Sequence, residues 1–248
     1  MIYIKSSEDI EKIKVACKIW KEVREALIKE TKVGVSLKQL DNIANDIITK
    51  NNAIPAFHGY MGFPSYICIS VNEQLIHGIA TNYILKKDDL VTFDIGVKYD
   101  DHFCDSAFSI NLNPANTKNQ AILDATKECL DESIKLAVAG NKTGDLGNKI
   151  EEVAQKHGYE VIKDYGGHGC GNKIHEDPFI MCYGKKNTGI KLVPGMVICI
   201  EPMLLTGTDK YYIDPKNNWT VIALNHKLTC HYEHMILIKE EGNEILTL

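Results

Sequence analysis

Residues 90–112 read LVTFDIGVKYDDHFCDSAFSINL. Two apolar, β-branched and aromatic runs flank the polar pair Asp100-Asp101, so the stretch reads as a hairpin of two antiparallel strands with a tight turn. Asp94 interrupts the first strand and Asp105 the second, eleven residues later (94 to 105). Such a hairpin can offer both carboxylates to one point from the same face. An ionised carboxylate in an apolar strand costs several kcal/mol unless it reaches water, pairs with a cation or binds a metal. The same anomaly recurs at Glu201, which ends the run Met196-Val197-Ile198-Cys199-Ile200, and at Glu233 in His231-Tyr232-Glu233-His234. A fifth polar group, His168, lies inside Gly166-Gly167-His168-Gly169-Cys170-Gly171. A glycine run of this kind lets backbone approach a ligand closely. No Gly-Lys-Ser/Thr follows it, so it is not a phosphate loop. Four acids and one imidazole suit a pair of hard divalent ions better than a structural zinc, which prefers Cys and His.

The rest of the chain supplies a scaffold. Its 248 residues are 44% hydrophobic and 25% charged, with 18 Gly and 7 Pro, which excludes disorder, collagen and coiled coil. The net charge of −5 offers no basic face to a phosphate backbone, so nucleic acid is not the expected partner. The eight cysteines form no C-x-x-C pair and several sit in apolar runs, as reduced core thiols do. No signal peptide or membrane span is readable, and the expected location is the cytoplasm.

Helical periodicity starts after a cap at Ser7, with Ile10, Ile13, Cys17, Trp20, Val23 and Leu27 on one face. Ser36 and Gln39 form the capping box of a second helix. Strands are expected over 66–71, 90–97 and 103–112. The order then restarts. A helix is predicted from Asn113-Pro114 through Leu123, Leu130 and Leu136 to Gly140, and another over 144–157 with Gly158 as its stop. Strands return over 159–162, 196–200, 219–224, 234–239 and 244–248. At an offset of 106 residues Gly34 meets Gly140, Leu40 meets Leu146, Asn42 meets Asn148, Ile47 meets Val153 and Lys50 meets Lys156. Element order and offset favour a single α+β domain over 1–248. Two similar halves, about 7–112 and 113–248, would place helices over a mainly antiparallel sheet, with a site where the halves meet.

Further segments extend the pattern: Tyr60-Met61-Gly62-Phe63-Pro64, Ser70-Val71-Asn72-Glu73, His77-Gly78, Gly167-His168-Gly169, His175-Glu176-Asp177-Pro178, Ile200-Glu201-Pro202-Met203 and Tyr232-Glu233-His234. In this order, with Asp94 and Asp105, they make the chain resemble, over essentially its whole length, the type I methionine aminopeptidases. These are metallopeptidases of the pita-bread fold, in which two pseudo-symmetric halves lay helices over a curved, mainly antiparallel sheet. The resemblance implies hydrolytic removal of N-terminal methionine, favouring a small second residue. It implies two divalent ions (cobalt, manganese or iron(II)) held by Asp94, Asp105, His168, Glu201 and Glu233, with Asp105 and Glu233 bridging. Glu201 is then the general base, and His77 and His175 face the scissile amide. The methionine pocket falls on Tyr60, Phe63, Cys68 and Trp219. The implied partners are the N-termini of nascent or short peptides, with proximity to the ribosome, no nucleic acid and no membrane, for a chain acting as a monomer.

The chain departs from the family pattern at Phe57, where many bacterial members carry Cys, and at Ile174, where Phe is common. Asp101, Cys104 and Ser106 also replace the usual residues around the second Asp. Phe57 and Ile174 are therefore expected to reshape the pocket wall, as in a divergent second copy of the enzyme. The rivals are a relaxed-specificity aminopeptidase of the same fold, an Xaa-Pro peptidase of that fold, which usually carries an added N-terminal domain, and a non-catalytic binding module, which loses the ligands present here. His58, His102, His157, His226, His231 and His234 read as surface or core-satisfied imidazoles.

Overall fold

A computed structural model describes residues 2–248 of the protein. Helix α1 (Ser7–Glu30) begins one residue before the sequence signal suggested. Ser6 is the cap, because Asp9 three residues on returns its hydrogen bond. The buried stripe Ile13, Cys17, Trp20, Val23 and Leu27 packs onto a long hairpin, β4 (Leu90–Tyr99) with β5 (His102–Asn111). Trp20 Nε1 donates to the Ser106 carbonyl of that hairpin at 3.1 Å. Helix α2 (Leu37–Lys50), closed by the Ser36–Gln39 capping box, lies against α1.

Asp100 and Asp101 make the hairpin turn in left-handed conformation (φ 45° and 59°), as a two-residue turn between twisted strands requires. Asp94 stands opposite Ala107 and Gly96 opposite Asp105. Cross-strand partners and residues two apart share a face, so Asp94 and Asp105 project to the same side. Strand β2 (Cys68–Val71) sets Cys68 beside Asp94 on that face. It starts two residues later than expected because the Asp41 carboxylate of α2 takes the N–H groups of Tyr66 and Ile67 (2.9 and 3.1 Å). The short β1 (Ile54–Pro55) pairs with Val97 and Lys98, on the same edge of β4 as β2 and opposite β5.

Helices α3 (Thr117–Ile134) and α4 (Thr143–Lys156) pair in the second part of the chain. The predicted start of α3 at Asn113-Pro114 is wrong by several residues. Asn113 instead closes a turn, its side chain accepting from Ala115 N, and Asn116 caps the helix. Its predicted run to Gly140 is also too long: after Ile134 the chain tightens, Leu136 and Ala137 donating to Ser133 and Ile134. Helix α4 ends as expected before Gly158, which is left-handed (φ 77°).

A five-stranded sheet carries the second set of polar groups. Its order is β15 (Asn243–Ile245), β14 (His234–Ile238), β9 (Val197–Ile200), β7 (Gly166–Gly169) and β8 (Glu176–Met181). Two smaller sheets fill in around it: β13 (Thr229–His231), β10 (Met203–Leu205) and β6 (Glu160–Val161) in one, β11 (Tyr211–Ile213), β12 (Val221–Ala223) and β3 (Gln74–Ile76) in the other. Among the described residues every pairing of these strands is antiparallel.

The glycine run is a strand rather than a loop. A Cβ on Gly167 would sit 2.2 Å from the Cys199 carbonyl oxygen, and one on Gly169 2.3 Å from that of Asp177. The glycines let β7 press between its own neighbouring strands; their close approach is to protein, not to ligand. The hairpin and the five-stranded sheet meet edge-on. Glu233 N donates to the Ala107 carbonyl at 2.9 Å, and Ser109 Oγ to that of His231 at 2.8 Å.

Candidate active site

That junction gathers the five expected polar groups. Asp94 and Asp105 come from the hairpin, His168 from the middle of β7, and Glu201 and Glu233 from the residues just beyond β9 and before β14. Because His234 pairs with Ile200, the adjoining Glu201 and Glu233 are brought together at the end of the same ladder. His168 Nε2 lies 3.8 Å from Asp105 Oδ2 and 3.8 Å from Glu201 Oε1. Ligand-capable atoms of Asp94, Asp105 and Glu233 fall within 4.8 Å of one another.

The charges are unbalanced. Asp105, Glu233 and His168 are buried, and Asp94 Oδ1, Asp105 Oδ1 and Glu233 Oε1 are buried oxygens that make no hydrogen bond among the described residues. Burial pushes the Asp94 carboxyl up to about 7. Burial and then the neighbouring Glu233 and Asp94 push Asp105 well above the carboxylate range, and burial with Glu201 and Asp94 does the same to Glu233. Burial also raises Glu201, but His231, His168 and His175 outweigh it and bring Glu201 below its ordinary value. Acids whose lone pairs point into a shared cavity without donors are arranged for a cation.

The imidazole fits the same purpose. His168 Nδ1 lies 2.9 Å from the Gly169 carbonyl, which can only accept, so the proton is on Nδ1 and Nε2 offers its lone pair to the cavity. These residues fit divalent metal on the chemistry of the donor set alone.

Above this floor lies a cavity of about 700 Å³. Phe57, Tyr60, Phe63, Cys68, His77, His175 and Trp219 line it together with the five floor residues. Phe63 and Trp219 meet edge to face at 5.2 Å, and His77 packs on Trp219 at 6.2 Å. His77 sits in left-handed conformation (φ 57°), a strain of about 1 kcal/mol or more that is maintained where a side chain must be aimed. Burial lowers its pKa to about 4. His175 is open to solvent on one edge, while the other edge packs against His168. The loss of water there, and then His168, lower it to about 4. Both rings are therefore neutral near pH 7. Tyr60 Oη lies 3.2 Å from His175 Nδ1; with the phenol donating, Nε2 carries the ring proton.

Two expectations need correction. Ile174 does not line the cavity: it packs behind it, against Phe57, Phe63 and Cys68, and faces an adjoining groove. Phe57 forms the wall, its ring filling the space over Gly96. His231 is neither at the surface nor satisfied in the core. It is 1% exposed, and its Nε2 lies 3.4 Å from Glu201 Oε2. Tyr3, Tyr165 and Phe179, none of them inside a quoted motif, also line the cavity. Glu176, beside His175, has a structural task. Its carboxylate accepts the N–H groups of Asn172 and Lys173 (2.6 and 2.8 Å) and pairs with Lys5, both side chains being 1% exposed.

The family model for metallopeptidase family M24 matches residues 11–240. The chain belongs to metallopeptidase family M24. A relative from Mycoplasmoides gallisepticum named methionine aminopeptidase is 45% identical over 100% of both chains. One from Bacillus subtilis, methionine aminopeptidase 1, is 38% identical over 100% of this chain and 99% of its own. The crystal structure of methionine aminopeptidase from Rickettsia prowazekii superposes with a TM-score of 0.97 at 33% identity, covering 100% of each chain. Prolidase from Pyrococcus furiosus gives a TM-score of 0.79 at 25% identity, over 99% of this chain and 65% of that one. The M24 fold is thus the pita-bread fold expected from the sequence. Among the described residues no helix is long and apolar enough to cross a membrane.

Proposed function

We propose that this chain removes the N-terminal methionine from nascent or short polypeptides by metal-assisted hydrolysis, favouring a small second residue. One observation carries the reading: an apolar slot of Phe57, Phe63, Cys68 and Trp219 shares a single cavity with the five-residue acid floor. A thioether fits aromatic walls of this kind, and a free α-amine fits the neighbouring acids. Asp94, Asp105, His168, Glu201 and Glu233 would hold two divalent ions, which we take as cobalt, manganese or iron(II). Residues 1–248 act as one domain, the half 7–112 contributing two of these groups and the half 113–248 three.

Bound there, the ions supply Lewis acidity and lower the pKa of water. Glu201 takes the proton from the attacking water and passes it toward the leaving amine. His77 stands beside the scissile amide nitrogen and His175 beside the carbonyl oxygen. As neutral imidazoles they donate hydrogen bonds without repelling the ions, each worth about 3 kcal/mol in the transition state. Tyr60 and His175 meet at the rim, which supports a preference for a small second side chain. The enzyme is read as a cytoplasmic monomer working on chains near the ribosome.

The test compares Met-Gly-Met-Met with an Xaa-Pro peptide in the presence of manganese or cobalt. Release of methionine from the first is expected, and turnover of the second alone would overturn the assignment in favour of an Xaa-Pro peptidase.

A further inference from the structure

His231 ends β13, opposite Met203, and its carbonyl is fixed by Ser109 Oγ. The backbone thus aims the ring at the floor of the cleft. The residue is 1% exposed, and neither Nδ1 nor Nε2 makes a hydrogen bond among the described residues. Leaving a buried ring nitrogen unsatisfied costs about 1–3 kcal/mol, and native proteins seldom accept it without a compensating partner. Glu201 Oε2 lies 3.4 Å from Nε2 but makes no hydrogen bond with it.

That separation has another meaning. Two atoms bound to one ion at about 2.1 Å, at a tetrahedral angle, lie about 3.4 Å apart. Ligand-capable atoms of Glu201, His231 and Glu233 also fall within 4.8 Å of each other. Glu201 divides its oxygens between the two imidazoles, Oε1 lying 3.8 Å from His168 Nε2 and Oε2 lying 3.4 Å from His231 Nε2.

We propose that His231 is a further ligand of the divalent-metal centre, joining Glu201 and Glu233 there. The proposal rests on the acid floor being a metal site. Its consequence is a second nitrogen donor in the centre beside His168. A mixed imidazole and carboxylate set retains borderline ions such as cobalt, iron(II) and zinc more firmly than oxygen alone.

The experiment loads metal-free protein, labelled with ¹⁵N in histidine, with cobalt(II). It counts the strongly shifted exchangeable ring N–H signals and measures affinity by calorimetry. Two such signals are expected from the wild type, from His168 and His231. His231→Gln should leave one and weaken one cobalt-binding step by about tenfold or more. Glutamine keeps much of the volume and can hydrogen-bond Glu201, so it separates a ligand from a residue that only positions the acid. A single signal from wild-type protein carrying two ions overturns the assignment without any variant, as does unchanged affinity in His231→Gln. Protein that binds no cobalt overturns the metal floor itself, a distinct result.

Discussion

On the floor of the cleft each expected ligand hangs from a paired strand or from the residue next to one; at the rim the substrate-facing groups sit on turns. Asp94 and Asp105 are held by the register of one hairpin, and Glu201 and Glu233 by that of another strand pair. Tyr60 lies in a short turn between Gly59 (φ 79°) and Met61 (φ 48°), His77 follows β3 in left-handed conformation, and His175 ends the link between β7 and β8. The floor must keep four carboxylates at fixed spacing against their own repulsion, which only hydrogen-bonded ladders with buried backs can do. The rim has to admit a chain end, and turns supply directions that a pleated strand cannot.

The sharpest way to break this contrast is to change the floor. Asp105→Asn should reduce peptide turnover by about 10³-fold or more and weaken cobalt binding measured by calorimetry. Metal-free Asp105→Asn should melt higher than metal-free wild type near neutral pH, since an acid whose pKa is raised by folding costs stability above its unfolded value and the amide carries no such cost. The rise in melting temperature on adding metal should shrink. Unchanged metal affinity would move Asp105 out of the ligand set.

A rim change should behave differently. His175→Ala is expected to lower kcat by about 10²–10³-fold, with metal affinity and melting temperature near those of wild type. If affinity falls along with kcat, His175 belongs to the floor and the division drawn above fails. The open edge of its ring predicts the first outcome.

The same contrast explains what could be read in the sequence. Asp94, Asp105, Glu201 and Glu233 betrayed themselves because a carboxylate in an apolar strand violates the burial pattern of its neighbours. Register then followed from the turn at Asp100-Asp101. His231 gave no such signal, since a histidine beside a strand is ordinary and its meaning comes from Glu201, thirty residues away (231 − 201). Tyr3, Tyr165 and Phe179 were invisible for the same reason: tertiary folding alone brings them to the cavity. The glycines around His168 were visible but misread, because sequence shows a missing side chain and not which neighbour needs the space. The boundaries of α3 failed where Asn113 and Asn116 competed to cap, a choice decided by the turn between them.

The smallest expected effect concerns the anchoring of the floor to α1. Asp9 accepts from Ser6 Oγ at 2.6 Å and lies 2.8 Å from His102 Nε2, at the start of the strand that carries Asp105. Ser6 first, and then His102, hold the Asp9 carboxyl down to about 2 from its ordinary 3.8. As pH falls below 3.8 the unfolded carboxyl therefore takes up a proton before the folded one does. The stabilisation is complete above the unfolded value and is lost as pH falls through about 2. The side chain keeps 27% of its exposure, so solvent screening limits the contribution to about 1 kcal/mol or less. Urea unfolding of metal-free wild type and Asp9→Asn should show a small stability gap at pH 6 that closes between pH 4 and pH 2. The acids of the floor titrate in both proteins and cancel in the difference. A gap that persists to pH 2 would mean that Asp9 acts through packing rather than charge. Cobalt affinity at neutral pH should be the same in both proteins, because this contact fixes where the strand begins and the ladder from Gly96 to Asp105 fixes where the carboxylate points.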